Sequence, residues 1–169
     1  VAANGTFSIT TTVTFADAIH TFTATETDDG MASGLSPAFT VNVNPIAPTI
    51  TAQIGTTVEG GALEFVGTGE VGNIVTITLG GVTIGSGIVD ATGHFDITTT
   101  VTFADGVHRL TATATDAANL VSPVSSQFTV NVIPDTPVIS AVLPVSGTSQ
   151  RIEVQGTGEV GETIKLFAD

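Results

Sequence analysis

Apolar and polar residues alternate along most of this chain in short runs of period two. Leu63 and Phe65 flank Glu64, and Val75, Ile77 and Leu79 interleave with Ile74, Thr76 and Thr78. Leu110, Ala112 and Ala114 form a third set, and Phe128, Val130 and Val132 a fourth. Alternation puts successive side chains on opposite faces of a strand, so each set marks one inward face. No stretch sustains a 3.6-residue apolar period. Runs rich in Val, Ile, Thr and Phe are separated by Gly, Asn, Asp and Pro at roughly 8–12-residue spacing, the pattern of a β-sandwich. The predicted strands are 49–54, 62–67, 74–79, 82–84, 94–99, 107–115 and 127–132. Asn4-Gly5 and Asp90-Ala91-Thr92-Gly93 predict hairpin turns, where residues tolerant of positive φ are needed.

The pattern repeats. Phe7-Ser8-Ile9-Thr10-Thr11-Thr12-Val13-Thr14-Phe15-Ala16-Asp17 recurs as Phe95-Asp96-Ile97-Thr98-Thr99-Thr100-Val101-Thr102-Phe103-Ala104-Asp105, an offset of 88 residues. Phe39 to Val43 recurs as Phe128 to Val132, and Gly67 to Gly72 as Gly156 to Gly161, both at 89. Pro45 and Pro48 map to Pro134 and Pro137. Proline lacks a ladder donor and stiffens an extended linker, so these pairs mark unit boundaries. Residues 1–44 then form the C-terminal half of one unit, 45–133 a complete unit and 134–169 the N-terminal half of the next. Seven strands in about 88 residues predict an all-β fold of tandem immunoglobulin-like sandwiches arranged head to tail. The repeat supports the faces: Val75 becomes Ile164 and Ile77 becomes Leu166, while Thr76 becomes Lys165. One inward position disagrees, since Ala114 corresponds to Glu26; a carboxylate fits there only near the strand end.

Composition narrows the function. The chain has 169 residues with 3 Lys+Arg against 16 Asp+Glu, a net charge of −13. Such a chain is not expected to hold nucleic acid by counterion release, and anionic lipid repels it. No apolar run approaches the ~20 residues that span a bilayer. With no Cys, disulfides, thiolate catalysis and cysteine zinc sites are excluded. Gly67-x-Gly69-x-x-Gly72 matches the dinucleotide fingerprint only formally, because a strand follows it where the phosphate site needs a helix. No nucleophile–base constellation or Gly-x-Ser-x-Gly elbow is present, and an enzyme is not expected. His20 and His108, equivalent by repeat, are expected to bond nearby backbone groups at a strand start; His94 is expected to be exposed beside a hairpin.

Several segments resemble the bacterial Ig-like domains repeated in giant extracellular adhesins of the RTX and biofilm-associated type. They are Gly67-Thr68-Gly69-Glu70-Val71-Gly72, Asp90 to Phe95, Ala104-Asp105-Gly106 and Thr111 to Asn119 with Ser122-Pro123. The resemblance covers essentially the whole chain. It departs at Phe95, where Trp is common, at His108, where Tyr is common, and in lacking a Gly before Asn119. It implies a stalk or spacer at the bacterial surface or in a secreted protein, acting in adhesion or biofilm formation, with neighbouring Ig-like repeats as partners.

Acidic residues at the poles are the candidate site. Strand polarity sorts Glu70, Asp90 and Asp116 to one pole and Glu59 and Asp105 to the other. In a head-to-tail array Asp17 would face Glu70 and Asp116, and Asp105 would face Glu159, with Asp135 in the linker. Carboxylates gathered without bases repel unless a cation enters, and Ca²⁺ takes oxygen ligands. Related adhesin repeats stiffen junctions with Ca²⁺, so the resemblance points to Asp17, Glu70, Asp116, Asp105, Asp135 and Glu159 as interdomain ligands. Two other readings are open. The half-units of different copies could complement one another in an extracellular filament, or the repeat loops could bind carbohydrate or another surface.

Overall fold

The computed structural model describes residues 1–145, 147 and 151–167. The remainder of the expected third segment (146, 148–150, 168 and 169) lies outside the described residues. The regular elements described are all strands. The first segment holds β1 (Ala18–Phe22), β2 (Thr27–Asp28), β3 (Met31–Ala32) and β4 (Phe39–Val43). The middle segment holds β5 (Thr49–Ile54), β6 (Glu64–Thr68), β7 (Ile74–Leu79), β8 (Val82–Ile88), β9 (His94–Thr98), β10 (Gly106–Thr115) and β11 (Phe128–Val132). The last holds β12 (Val138–Pro144) and β13 (Ile152–Thr157).

The middle segment is an Ig-like sandwich. One sheet is ordered β5-β6-β9 and the other β11-β10-β7-β8, all neighbours antiparallel. The alternating sets face inward as expected. Leu63, Phe65, Val75, Ile77, Leu110, Ala112, Ala114, Val130 and Val132 are buried in one core, with Leu79 and Phe128 packed against it. Burying each Val, Leu, Ile or Phe side chain among them contributes about 1.5–3 kcal/mol. The Phe65 ring meets Phe128 edge-on at 5.9 Å and Phe103 at 6.5 Å.

Two boundaries differ from the sequence pattern by more than one residue. The strand expected to end at residue 84 continues through Gly85-Ser86-Gly87 to Ile88. Neither glycine has room for a side chain, because a Cβ at either would lie 2.8 Å from Ile97. The missing side chains let Ile97 of β9 close over the core, so these glycines are a packing device and not a turn. β6 begins at Glu64 rather than 62, because Leu63 leaves the ladder: its N–H donates to Thr99 Oγ1 at 2.9 Å and its carbonyl accepts the Thr99 N–H at 2.8 Å.

The flanking segments repeat parts of this plan. β1 pairs with β4 in the register of β10 with β11, His20 opposite Val41 as His108 is opposite Val130. β12 and β13 repeat β5 and β6, including a bulge at Ile139/Ala141 that matches Ile50/Ala52. Residues 6–10 and 163–167, equivalent to β9 and β7, form no strand. Their equivalents are held by β6, β8 and β10, and the matching partners are not among the described residues of either segment. Ladder hydrogen bonds need a partner, so sequence preference alone leaves these runs unpaired.

Beyond β10 two serines stand in for a strand. The Ala112 N–H donates to Ser125 Oγ at 2.9 Å and the Ala114 N–H to Ser122 Oγ at 2.8 Å. Each serine N–H returns a bond to the same residue's carbonyl. Ser36 and Ser33 do the same for Ala24 and Glu26. Ser122→Ala leaves the buried Ala114 N–H unpaired and is expected to cost about 1–3 kcal/mol. Urea unfolding checks this, and a loss near zero would mean water replaces the hydroxyl.

Candidate functional site

The junctions between segments carry the candidate carboxylates. At the first junction, the Gly67–Gly72 turn places Glu70 beside the proline linker. Glu70 Oε2 accepts the Ile46 N–H at 2.7 Å. Asp17, in the turn before β1, accepts Asn73 Nδ2–H on Oδ2 at 3.3 Å. Asn73 belongs to the same turn, since its N–H donates to the Glu70 carbonyl at 3.2 Å. Asp17 therefore reaches the Glu70 turn through Asn73. Asp116 is occupied within its own loop: its Oδ1 accepts the Ala118 N–H at 2.9 Å and the Leu120 N–H at 2.7 Å. This staple holds Asn119 at φ 60, a left-handed position that Asn tolerates.

The second junction repeats the clasp: Glu159 Oε1 accepts the Asp135 N–H at 2.7 Å. Glu59 joins it, because its N–H donates to the Ile133 carbonyl at 3.1 Å and the Gly60 N–H to the Phe103 carbonyl at 2.9 Å. Glu59 is pushed above its ordinary 4.5 by hydrogen bonding with the Glu159 carboxyl, by partial burial and by the charges of Glu159, Asp105 and Asp135. The structure thus brings Glu59, Asp105, Asp135 and Glu159 together at one junction. Among the described residues, however, no three His, Asp or Glu side chains are grouped so as to hold a metal ion. Glu70, Glu159, Asp17 and Asp116 instead accept N–H donors of the chain itself.

Sequence reasoning missed Asn73 and the linker amides. Asn73 was visible beside the turn, but backbone donors leave no mark in a sequence. The histidines sit as expected. His20 Nε2–H donates to the Ala16 carbonyl and His108 Nε2–H to the Ala104 carbonyl, both at 2.8 Å, each ring edge-on to Phe15 or Phe103. His94 is exposed and its Nδ1 lies 3.0 Å from Thr92 Oγ1.

The family model of the bacterial Ig domain matches residues 47–131, just over half of the chain. The chain belongs to the bacterial Ig domain family. Bacterial Ig domains are typically found in extracellular or surface proteins. No curated protein matches the chain. A solved structure titled "Structure of Protease" is similar at 20% identity over 53% of this chain and 19% of that chain, with a TM-score of 0.34. This chain therefore spans only a minor part of that structure's length. Among the described residues no helix is long and apolar enough to cross a membrane.

A cleft of about 770 Å³ lies in the first segment, lined by Val1, Phe7, Ile9, Ala24 and Glu26 among others. Their equivalents in the complete bacterial Ig domain are Val89, Phe95, Ile97, Ala112 and Ala114, all core residues. The cleft is thus an open half-core rather than a ligand pocket. Glu26 lines this cleft and is exposed, whereas its equivalent Ala114 is fully buried.

The acids of the bacterial Ig domain make stability depend on pH in two opposed ways. Asp90 is held below its ordinary 3.8 by the Thr92 hydroxyl and the N–H groups of His94 and Thr92. Its contribution is present above pH 3.8 and lost as pH falls through the depressed value. Glu59 and Glu64 are raised, Glu64 mainly by the Asp96 charge on the neighbouring strand. Their charged forms lower stability above the raised values, and that penalty lifts as pH falls to 4.5. Urea unfolding across pH should therefore show stability rising on mild acidification and falling below pH 3.8. A steady decline from neutral pH would contradict this assignment.

Proposed function

We propose that this chain is a structural, non-enzymatic stretch of the stalk of a bacterial surface or secreted adhesin acting in adhesion or biofilm formation. The observation that carries the reading is the repeated clasp, in which Glu70 and Glu159 each accept a linker N–H at 2.7 Å. The Glu of one turn thereby fixes the path by which the chain enters each successive unit. A spacer needs this property, because an unclasped linker would let units swivel. The high Thr content suits exposed β faces, and the net charge of −13 opposes lateral self-association.

The experiment is to pull the chain in a force spectrometer and to assay it separately on glycan and cell-surface arrays. The expected outcome is a cooperative unfolding step of roughly 300 Å, set by about 89 residues at 3.3–3.6 Å each, with no saturable binding. Saturable binding to a glycan would replace the stalk reading with a binding module. Hydrolysis of a substrate on the array would remove the non-enzymatic part.

A second reading, complementation between copies in a filament, is favoured by a size exchange. Phe65 becomes the smaller Val154 in the last segment, while Leu110 becomes the larger Phe22 in the first. In the complete unit Phe65 packs on Phe128, the register partner of Leu110. At this one contact, residues 134–169 of one copy and residues 1–44 of another are complementary in bulk. Sedimentation of the 169-residue chain should then show concentration-dependent oligomers, and a monomer at all concentrations would end this reading.

A further inference from the structure

The two junctions repeat one clasp but differ in the residues around it. The turn behind each has the same shape, with the Asn73 N–H to the Glu70 carbonyl at 3.2 Å and the Glu162 N–H to the Glu159 carbonyl at 3.3 Å. Position by position, however, Asn73 becomes Glu162, Ile46 becomes Asp135 and Asp17 becomes Asp105. The first junction sets a carboxylate against an amide, and Asp17 and Asn73 are hydrogen-bonded at 3.3 Å. The second sets a carboxylate position against another carboxylate and so loses that bond. It also replaces an apolar linker side chain with an acidic one. At the second junction Glu59 is tethered by its N–H to Ile133 and is adjacent to Gly60, whose N–H reaches Phe103. Lys165 lines the cleft with Asp135, Glu159 and Glu162. Its ammonium shares that cleft with three carboxyl groups.

We propose that the first junction is a fixed clasp and the second a salt-tuned hinge, two stiffnesses built from one repeat by the exchange of Asn73 for Glu162 and Ile46 for Asp135. At low ionic strength the like charges work against the Glu159–Asp135 clasp. Added salt shortens the range of the repulsion to about 3 Å at 1 M, within the spacing of neighbouring side chains. The first junction has one neutral partner in its contact and an apolar linker residue, so screening leaves it unchanged.

The test is ¹⁵N relaxation of the full chain, reading the order parameters of the Ile46 and Asp135 amides. It reports backbone motion, so it stands or fails apart from the binding assays that test the stalk reading. Ile46 should stay near about 0.85, the value of rigid backbone, at every salt concentration. Asp135 should lie below about 0.6 at low salt and rise toward 0.85 at about 1 M. Glu162→Asn should raise Asp135 at low salt without added ions, and Glu59→Gln should do so in part. A rigid Asp135 at low salt would overturn the proposal. So would an Asp135 that ignores salt and both variants, or an Ile46 that responds as strongly.

Discussion

Phe65→Ala is expected to destabilise the complete bacterial Ig domain by about 3–5 kcal/mol. Phe65 has no exposed surface and sits on β6 of the three-stranded sheet. Its ring meets Phe128 of β11 in the opposite sheet and Phe103 of the loop before β10, both edge-on. It therefore joins both layers and the loop that closes one end. Truncation removes the transfer energy of the ring and leaves a cavity between sheets that strands cannot collapse to fill. For a unit of this size the loss corresponds to a melting temperature lowered by roughly 15–30 °C. Calorimetry of the full chain measures it. Phe65→Leu should recover more than half, because it refills most of the volume. A loss below about 1 kcal/mol would mean that Phe65 is not the contact holding the sheets together.

The same side chain shows why so much of this fold was legible. Period-two alternation states which residues share a face, and the repeat tests each assignment by substituting apolar for apolar at inward positions, as with Val75 and Ile164. Strand ends were less legible because the deciding contacts are tertiary. Gly85 and Gly87 look like breakers until Ile97 is seen to occupy their side-chain space. Leu63 looks like strand until Thr99 is seen to hold it. The poles were legible from strand polarity, which brought Asp17 to the Glu70 turn and Asp105 to the junction of Glu159. What those acids do there was not, since their partners at Ile46, Asp135, Ala118 and Leu120 are backbone N–H groups. The Ser122 and Ser125 clamps were carried by the repeat itself, as Ser33 and Ser36, but a serine in a loop has no sequence feature that distinguishes a strand substitute from a solvated hydroxyl.

Gly67→Ala is expected to cost about 3 kcal/mol or more, at the upper end of overpacking. The constraint is space, not φ, since Gly67 lies inside β6 and is not among the positive-φ residues. An added Cβ would overlap the Thr49 carbonyl oxygen and the Phe95 ring, whose Cε1 would lie 2.7 Å away. Phe95 is the register partner of Gly67 across β6–β9 and fills the place that a side chain would take. On the other edge, the β5 bulge at Ile50/Ala52 brings the Thr49 carbonyl over the glycine. The ring can move, but the backbone carbonyl cannot move without disturbing the β5–β6 ladder. Phe95→Val in the Gly67→Ala background should therefore restore only part of the loss, and full restoration would show that the ring alone sets the constraint. The tail carries the same demand, since a Cβ on Gly156 would overlap the Val138 carbonyl. Strain at Thr49 also has a mechanical consequence. Thr49 follows Pro48 directly, and that linker is held by Glu70 through Ile46. Gly67→Ala should accordingly speed exchange of the Ile46 amide well before the unit unfolds, coupling the packing of one glycine to the stiffness of the junction.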